Sequence, residues 1–384
     1  MRLLTRALVL LAATPLAAQE EGATWRTSNF PYIVGNPTTG PMLIARWQVA
    51  QQADYDARVQ FAGILSVEAG ASALGSRFVT VRFRAPLLRD GWRFAGDISA
   101  FRESRLGYYG LGPETVGNPP PPLDAEPYPV RARRTRYLAR GEVTRRLHGP
   151  LQLAVAGGVE HSAWSALPGQ SVFREQFGIS RGQTDLHGRL AMVLDLRDHE
   201  VLTTRGVLGE TGLVWGNGGE SRDGDLIAFG PYAGWYAHLR GYLSPRRGTV
   251  VAARVAARSV SDEATLSARF DLPAWERDLS ALGGAETHRS FVKGRFGGRG
   301  LLLGSLEVRH NLLDVGDYGA ITAIAFTDAG RVFENTDFKL TLSDYQVGYG
   351  GGVSLRVLRW AILVFNFAGG PDGFNFTMGQ GFSF

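Results

Sequence analysis

Apolar and polar residues alternate with a period of two over stretches of about ten residues, many times along the chain. That period belongs to β-strands, whose successive side chains point to opposite faces. In 184–198, Leu186, Gly188, Leu190, Met192, Leu194 and Leu196 share one face, and Asp185, His187, Arg189, Asp195 and Arg197 share the other. In 133–147, Tyr137, Ala139, Gly141 and Val143 oppose Arg136, Arg140, Glu142 and Thr144. In 248–260, Val251, Ala253, Val255 and Ala257 oppose Arg254 and Arg258. The pattern predicts sixteen strands, near 29–36, 40–49, 57–71, 77–86, 91–104, 133–147, 151–163, 184–198, 206–217, 227–240, 248–260, 300–313, 319–333, 346–358, 360–368 and 374–384.

Two architectures produce such alternation. A soluble sandwich buries its apolar faces between two sheets. A transmembrane barrel turns them to lipid and keeps a polar lumen. Strand length favours the barrel, since soluble strands are usually only five or six residues long. Arginine recurs mid-strand on the polar face together with Asp and Glu, as a wet lumen requires. The expected fold is therefore all-β, a 16-stranded antiparallel outer-membrane barrel, and an even strand count puts both chain ends on the periplasmic side. Tight connections are expected at Leu147-His148-Gly149-Pro150 and Arg197-Asp198-His199-Glu200. Long, outward loops are expected at 105–132 (Pro-rich), 164–183 and 261–299.

The ends of the chain agree with that location. Residues 1–19 carry Arg2 and Arg6, an apolar run, Pro15 and then small residues, which reads as a secretory signal peptide. Residues 20–28 read as a short periplasmic segment and 29–384 as the barrel domain. The last stretch places Phe374, Phe376, Met378, Phe382 and the terminal Phe384 on one face, and Phe382 and Phe384 read as a C-terminal assembly signal. Composition then excludes whole classes. With no Cys among 384 residues there are no disulfides, thiolate sites or cysteine nucleophiles. The formal charge is +5, but the arginines are scattered singly through the strands, so nucleic acid is not an expected partner. No metal-ligand cluster or cofactor motif is read, and His161, His187 and His199 read as solvated or hydrogen-bonded rather than catalytic. The chain is expected not to be an enzyme.

The loop 261–299 is unusually long, and its second half is rich in Gly and Arg. The strand after it carries Ser305, Glu307 and Arg309 on its polar face, and the next one Phe326, Asp328 and Gly330. A buried guanidinium needs a carboxylate, which its fork can grip with two bonds. Spacing alone leaves two readings open. The loop folds back into the lumen, or it is a solvated basic loop that binds lipopolysaccharide phosphates.

His288-Arg289-Ser290-Phe291, Glu307 and the Phe326-x-Asp328-x-Gly330 run resemble motifs of the BamA/TamA family, the bacterial surface antigen barrels. The turn run Asp195-x-Arg197-Asp198, followed by Thr204-Arg205-Gly206, and the early Tyr108-Tyr109-Gly110-Leu111-Gly112 are similar to family patterns too. In the family's sixth-loop motif an aliphatic residue precedes the Arg and a Gly follows it, where this chain has His288 and Ser290. The resemblance implies that Arg289 pairs with Asp328 and Glu307 inside the lumen, with Phe291 beside it. It implies a weak seam between the first and last strands, here helped by Pro31 and Pro37, and a role in inserting or translocating proteins or lipids. It also implies a short, barrel-only member without POTRA repeats, partnered by outer-membrane lipid and lipopolysaccharide, and by barrel clients or a separate POTRA-bearing protein. The other reading is a plugged porin or narrow passive channel.

Overall fold

The computed structural model describes residues 25–36, 39–113, 128–334, 344–358 and 361–384. The expected signal peptide lies outside the described residues, as do most of segment 20–28 and the Pro-rich centre of the loop 105–132. The strands are β1 (Arg26–Asn36), β2 (Gly40–Gln52), β3 (Phe61–Ser72), β4 (Arg77–Arg89), β5 (Trp92–Gly107), β6 (Arg131–His148), β7 (Leu151–Ala166), β8 (Ser180–Asp195), β9 (Gly206–Arg222), β10 (Asp225–Arg246), β11 (Thr249–Val260), β12 (Asp271–Leu272), β13 (Leu279–Ser280), β14 (Gly300–Asp314), β15 (Gly319–Phe333), β16 (Gln346–Val357), β17 (Ala361–Gly370) and β18 (Gly373–Gln380). Two short helices, α1 (Val172–Phe177) and α2 (Leu266–Phe270), sit in loops.

Sixteen strands form one antiparallel sheet in chain order, with β12 and β13 pairing separately inside the loop between β11 and β14. The sheet curls into a nearly closed barrel. β1 and β18 lie side by side, but among the described residues no backbone hydrogen bonds join them. A side-chain contact spans the gap, Arg46 Nη1 on β2 donating to Gln380 Oε1 at 3.5 Å.

The alternation sorts the faces as its chemistry requires. Leu186, Leu190, Leu213, Val255 and Tyr349 point outward and are exposed, whereas Asp185, Arg189, Arg254, Glu307 and Asp328 point inward and are buried. The inward arginines meet acids across the strands. Arg46 and Arg82 share Glu68, Arg84 pairs with Asp97, and Arg134 with Glu103.

Several boundaries shift from the pattern, β10 most at its far end (Arg246 against 240), and three differences bear on the site. β1 runs unbroken through Pro31, which pairs with Ala45, so proline does not shorten the first strand. An edge strand has one side free of ladder partners, which is where proline is tolerated. The connection after β8 is not a tight turn but ten residues, 196–205, tucked into the barrel mouth. The last strand stops at Gln380, and the final four residues turn into the lumen instead of continuing along the lipid face.

Candidate functional site

The lumen is occupied by the segment 261–299, anchored at both ends by β11. Arg254 and Arg258 are fully buried, yet their hydrogen bonds go mainly to loop carbonyls and none to a carboxylate, Arg254 also donating to Ser305 Oγ at 3.0 Å. Arg254 donates to Glu286 O at 2.7 Å and Thr287 O at 3.0 Å. Arg258 donates to Arg269 O at 3.2 Å, to Gly298 O at 2.6 Å and to Ala268 O. Each guanidinium therefore satisfies several backbone acceptors of a buried loop, which would otherwise cost free energy.

The first half of the loop reaches the wall built by β5 to β10. Asp271 accepts from Arg136 at 2.7 Å, and Asp278 lies 3.1 Å from Arg140 and 3.0 Å from Arg189. Trp275 donates its indole N–H to Thr144 at 3.1 Å and lies under Arg93, 4.7 Å from the ring centre. Glu276 pairs with the same Arg93 at 2.7 Å.

The second half reaches the opposite wall. Arg289 Nε and Nη2 each donate to Asp328 at 2.9 Å, and the backbone N–H of Arg289 adds a third bond at 3.0 Å. Arg289 Nη1 donates to Glu307, whose other oxygen takes a 2.5 Å bond from Arg309. The guanidinium carbon stands 3.5 Å above the centre of the Phe326 ring. Arg289 thus contacts Glu307, Phe326 and Asp328 at once, in a site closed to solvent.

Phe291 and Gly330 sit nearby but do other work. Phe291 packs with Leu282, Phe296, Leu301, Leu303 and Val332 in an apolar cluster shared by the loop, β14 and β15. Gly330 leaves room for Leu282, whose Cδ2 would be 2.7 Å from a Cβ there. Ser290, where the family pattern has Gly, fits for a similar reason. Its φ is not positive, and its side chain lies against Gly348 and Gly370, where any Cβ would collide with it.

β18 holds the same segment. Asn375 Nδ2 donates to the carbonyls of Arg289 at 2.8 Å and Phe291 at 3.1 Å. Arg295 pairs with Asp372 in the turn before β18 at 2.5 Å, and stacks over Tyr109 at 4.3 Å. The chain end closes beneath. Arg309 donates to Phe384 O at 2.7 Å and lies 3.9 Å from the Phe382 ring centre. Arg254 lies 4.5 Å from the Phe384 ring centre.

The turn motif forms a separate unit at the other mouth of the barrel. Arg197 forks onto Asp195 with bonds of 2.9 and 3.1 Å. Asp198 accepts from Thr204 Oγ1 at 2.5 Å, Thr204 N at 3.0 Å and His199 N at 2.8 Å. Burial alone would raise the Asp198 pKa, but these bonds outweigh it and hold it below the usual carboxylate range. Gly206 has φ 108°, and a Cβ would overlap the carbonyl of Leu196. Val201 and Leu202 then pack against the lumen cluster of Ile324, Phe326 and Phe382.

A profile of the Omp85 superfamily domain matches residues 63–382. The chain is a member of the Omp85 superfamily. Its fold resembles BamA from Haemophilus ducreyi lacking POTRA domains 1–3, at 14% identity and a TM-score of 0.55, with 94% of this chain and 71% of that one covered. It also resembles CdiB from Escherichia coli at 15% identity and TM-score 0.56, covering 94% of this chain and 63% of the other. For CdiB from Acinetobacter baumannii the values are 13%, 0.51, 92% and 58%. No curated protein sequence matches the chain. Among its described residues this Omp85 protein has no POTRA domain.

Several contributors were not singled out from the pattern. Arg309, Arg254 and Arg258 were legible as inward, but not their partners. Asn375, Arg295, Asp372, Asp271 and Asp278 gave no local signal, because each acts on a segment distant in sequence. Gly178-Ile179-Ser180-Arg181-Gly182 has the spacing of a serine-hydrolase elbow. Here Ser180 opens β8, its hydroxyl is 3.4 Å from Asp223, and among the described residues it bonds no histidine.

Proposed function

We propose that this chain is an integral outer-membrane barrel that assists the insertion or translocation of proteins, or of lipids, through a wall that parts between β1 and β18. The observation that carries this reading is the position of the Arg289 cluster. The segment that places Arg289 between Glu307 and Asp328 is also held by Asn375 on β18, the strand beside the unladdered seam. The loop is thereby a latch, and releasing it frees one side of the seam. A second copy of the strand-pairing chemistry, supplied by a client strand, would find unpaired backbone groups there.

The described residues form the barrel and its loops, and in this reading delivery of clients falls to a separate POTRA-bearing partner. Phe382 and Phe384 serve as an assembly signal before folding and turn inward once the barrel closes. The passive-channel reading is disfavoured by a lumen crossed from wall to wall by one loop.

The test uses the chain reconstituted in vesicles with an unfolded barrel client. Faster client folding that is lost in Asp328→Asn supports the reading. Steady large conductance in planar bilayers, unaffected by Arg289→Ala, with no effect on client folding, refutes it. Cysteine pairs placed in 30–34 of β1 and 374–378 of β18 provide a second arm, since the chain has no cysteine of its own. Cross-linked seams should lose client folding, and reduction should restore it.

A further inference from the structure

Arg46, Arg82, Arg84, Arg93, Arg134, Arg136 and Arg140, inward on β2 to β6, are matched to acids, but the outward arginines at one end of these strands are not. Arg77 is the first residue of β4 and stands directly opposite Arg102 on β5. Arg133 lies on β6, two residues from Thr135, which is the partner of Arg102. All three side chains are exposed, and among the described residues none has an ion-pair partner. No Asp or Glu shares the outward face of β2 to β7 among the described residues. Like charges directly opposite on a sheet repel, so this pair is unfavourable unless an anion sits between them.

Around these arginines the outward side chains are mostly small, which leaves a shallow depression in the wall. Ala71 stands beside Arg77 in the arginines' own row, next to Leu43, and the row below carries Ala45, Ala69, Val79 and Ala100 up to the larger Tyr137. The result is an outward-facing groove of about 630 Å³. It spans five strands, roughly 19 Å at the usual strand spacing. A two-chain phospholipid would fill only part of that width.

We propose that this face is a binding site for the lipid A part of lipopolysaccharide, with phosphate between Arg77 and Arg102 and acyl chains in the alanine groove. The guanidinium fork suits phosphate oxygens, and two forks on neighbouring strands can share one phosphate. Arg133 is placed to meet a second anionic group on the same glycolipid. The assignment to the outer leaflet rests on the proposed outer-membrane reading: with both chain ends on the periplasmic side, the β3–β4 turn and the loop after β5 face outward. At the opposite end of the same wall Arg89 and Arg145 flank Trp92, with guanidinium-to-ring distances of 5.8 and 4.6 Å, so there the cations are already engaged. The site would anchor the wall on the β2–β6 side in the outer leaflet, close to the seam.

Native mass spectrometry of the full chain in phosphatidylcholine nanodiscs tests this, with bisphosphorylated lipid A, monophosphoryl lipid A and phosphatidylglycerol as probes. Wild-type protein should bind bisphosphorylated lipid A at least tenfold tighter than phosphatidylglycerol. Arg77→Gln/Arg102→Gln should lose that preference, and Ala69→Phe should weaken binding by filling the groove. Arg89→Gln should change nothing. Equal binding by wild type and the double variant overturns the proposal, as does equal competition by phosphatidylglycerol. Folding of each variant is checked by heat-modifiable gel mobility, and each single Arg→Gln change serves if the double variant does not fold. Arg289→Met should leave lipid A binding intact. Unchanged client folding in Arg289→Met with wild-type lipid A binding therefore sinks the latch reading alone, and lost latch-dependent folding with no lipid A preference in wild type sinks this one alone.

Discussion

Replacing Arg289 with methionine removes the guanidinium but keeps most of the side-chain volume. Asp328 then loses both side-chain bonds of 2.9 Å and keeps only the backbone N–H at 3.0 Å. Glu307 loses one partner and keeps Arg309 at 2.5 Å. Both carboxylates stay buried. Removing one member of such a pair costs about 3–5 kcal/mol, because a charge is left uncompensated. The lost contact with Phe326 lies within that figure, since truncation measures the whole site. At about 1.4 kcal/mol per tenfold change, the population with a released loop should rise by roughly two to four orders of magnitude. Amide hydrogen exchange, read by mass spectrometry on peptides from 281–299, measures this directly. Those amides should exchange much faster, while amides in β14 and β15 stay protected. Adding Asp328→Asn should recover part of the loss by removing the buried charge. Unchanged exchange in Arg289→Met would refute the reasoning, because the loop would then be held by other contacts.

The remaining predictions concern fit, register and pH. Gly348→Ala should cost about 1–3 kcal/mol, since its Cβ would collide with Ser290, and adding Ser290→Gly should return most of it in a double-mutant cycle by urea unfolding. Leu190→Arg points a charge outward and should cost about 2–4 kcal/mol near the midplane, blocking folding into vesicles. Arg189→Leu should still fold but loosen 274–278, because Arg189 donates to Ala274 O at 2.7 Å and pairs with Asp278; the reverse ranking would mean an error of one residue in register. Asp198 has a depressed pKa in the folded turn, so the stability it contributes is full above the unfolded value and lost as pH falls through the folded one. Protease nicking of 196–205 should rise in that acid window for wild type, and Asp198→Asn should flatten the profile.

The period-two pattern was enough to set sixteen strands and the face of each, because a membrane barrel asks the same thing of every strand. One side must tolerate lipid and the other water. Leu190 and Arg189 show the rule at single-residue resolution. Arg289 and its acids came within reach for a different reason. Their residue types are restricted by the need to neutralise buried charge, and the family pattern supplied the pairing. What stayed hidden was anything decided by the closed shape. Asp271 and Asp278 are ordinary loop acids until the barrel curves Arg136, Arg140 and Arg189 toward them. Asn375 is one polar residue among several on its face until the seam brings β18 under the loop. Phe382 and Phe384 keep the alternation of a lipid-facing strand, yet Arg309 and Arg254 draw them inward. The cation–ring contacts and the bond to the Phe384 carbonyl are made in a lumen shielded from water, where they are stronger than the pattern of the strand alone could indicate. The chain end and the loop therefore share the same arginines. Arg309 bonds both Glu307 and Phe384, so movement of the last strand and loosening of Arg289 are expected to be energetically linked.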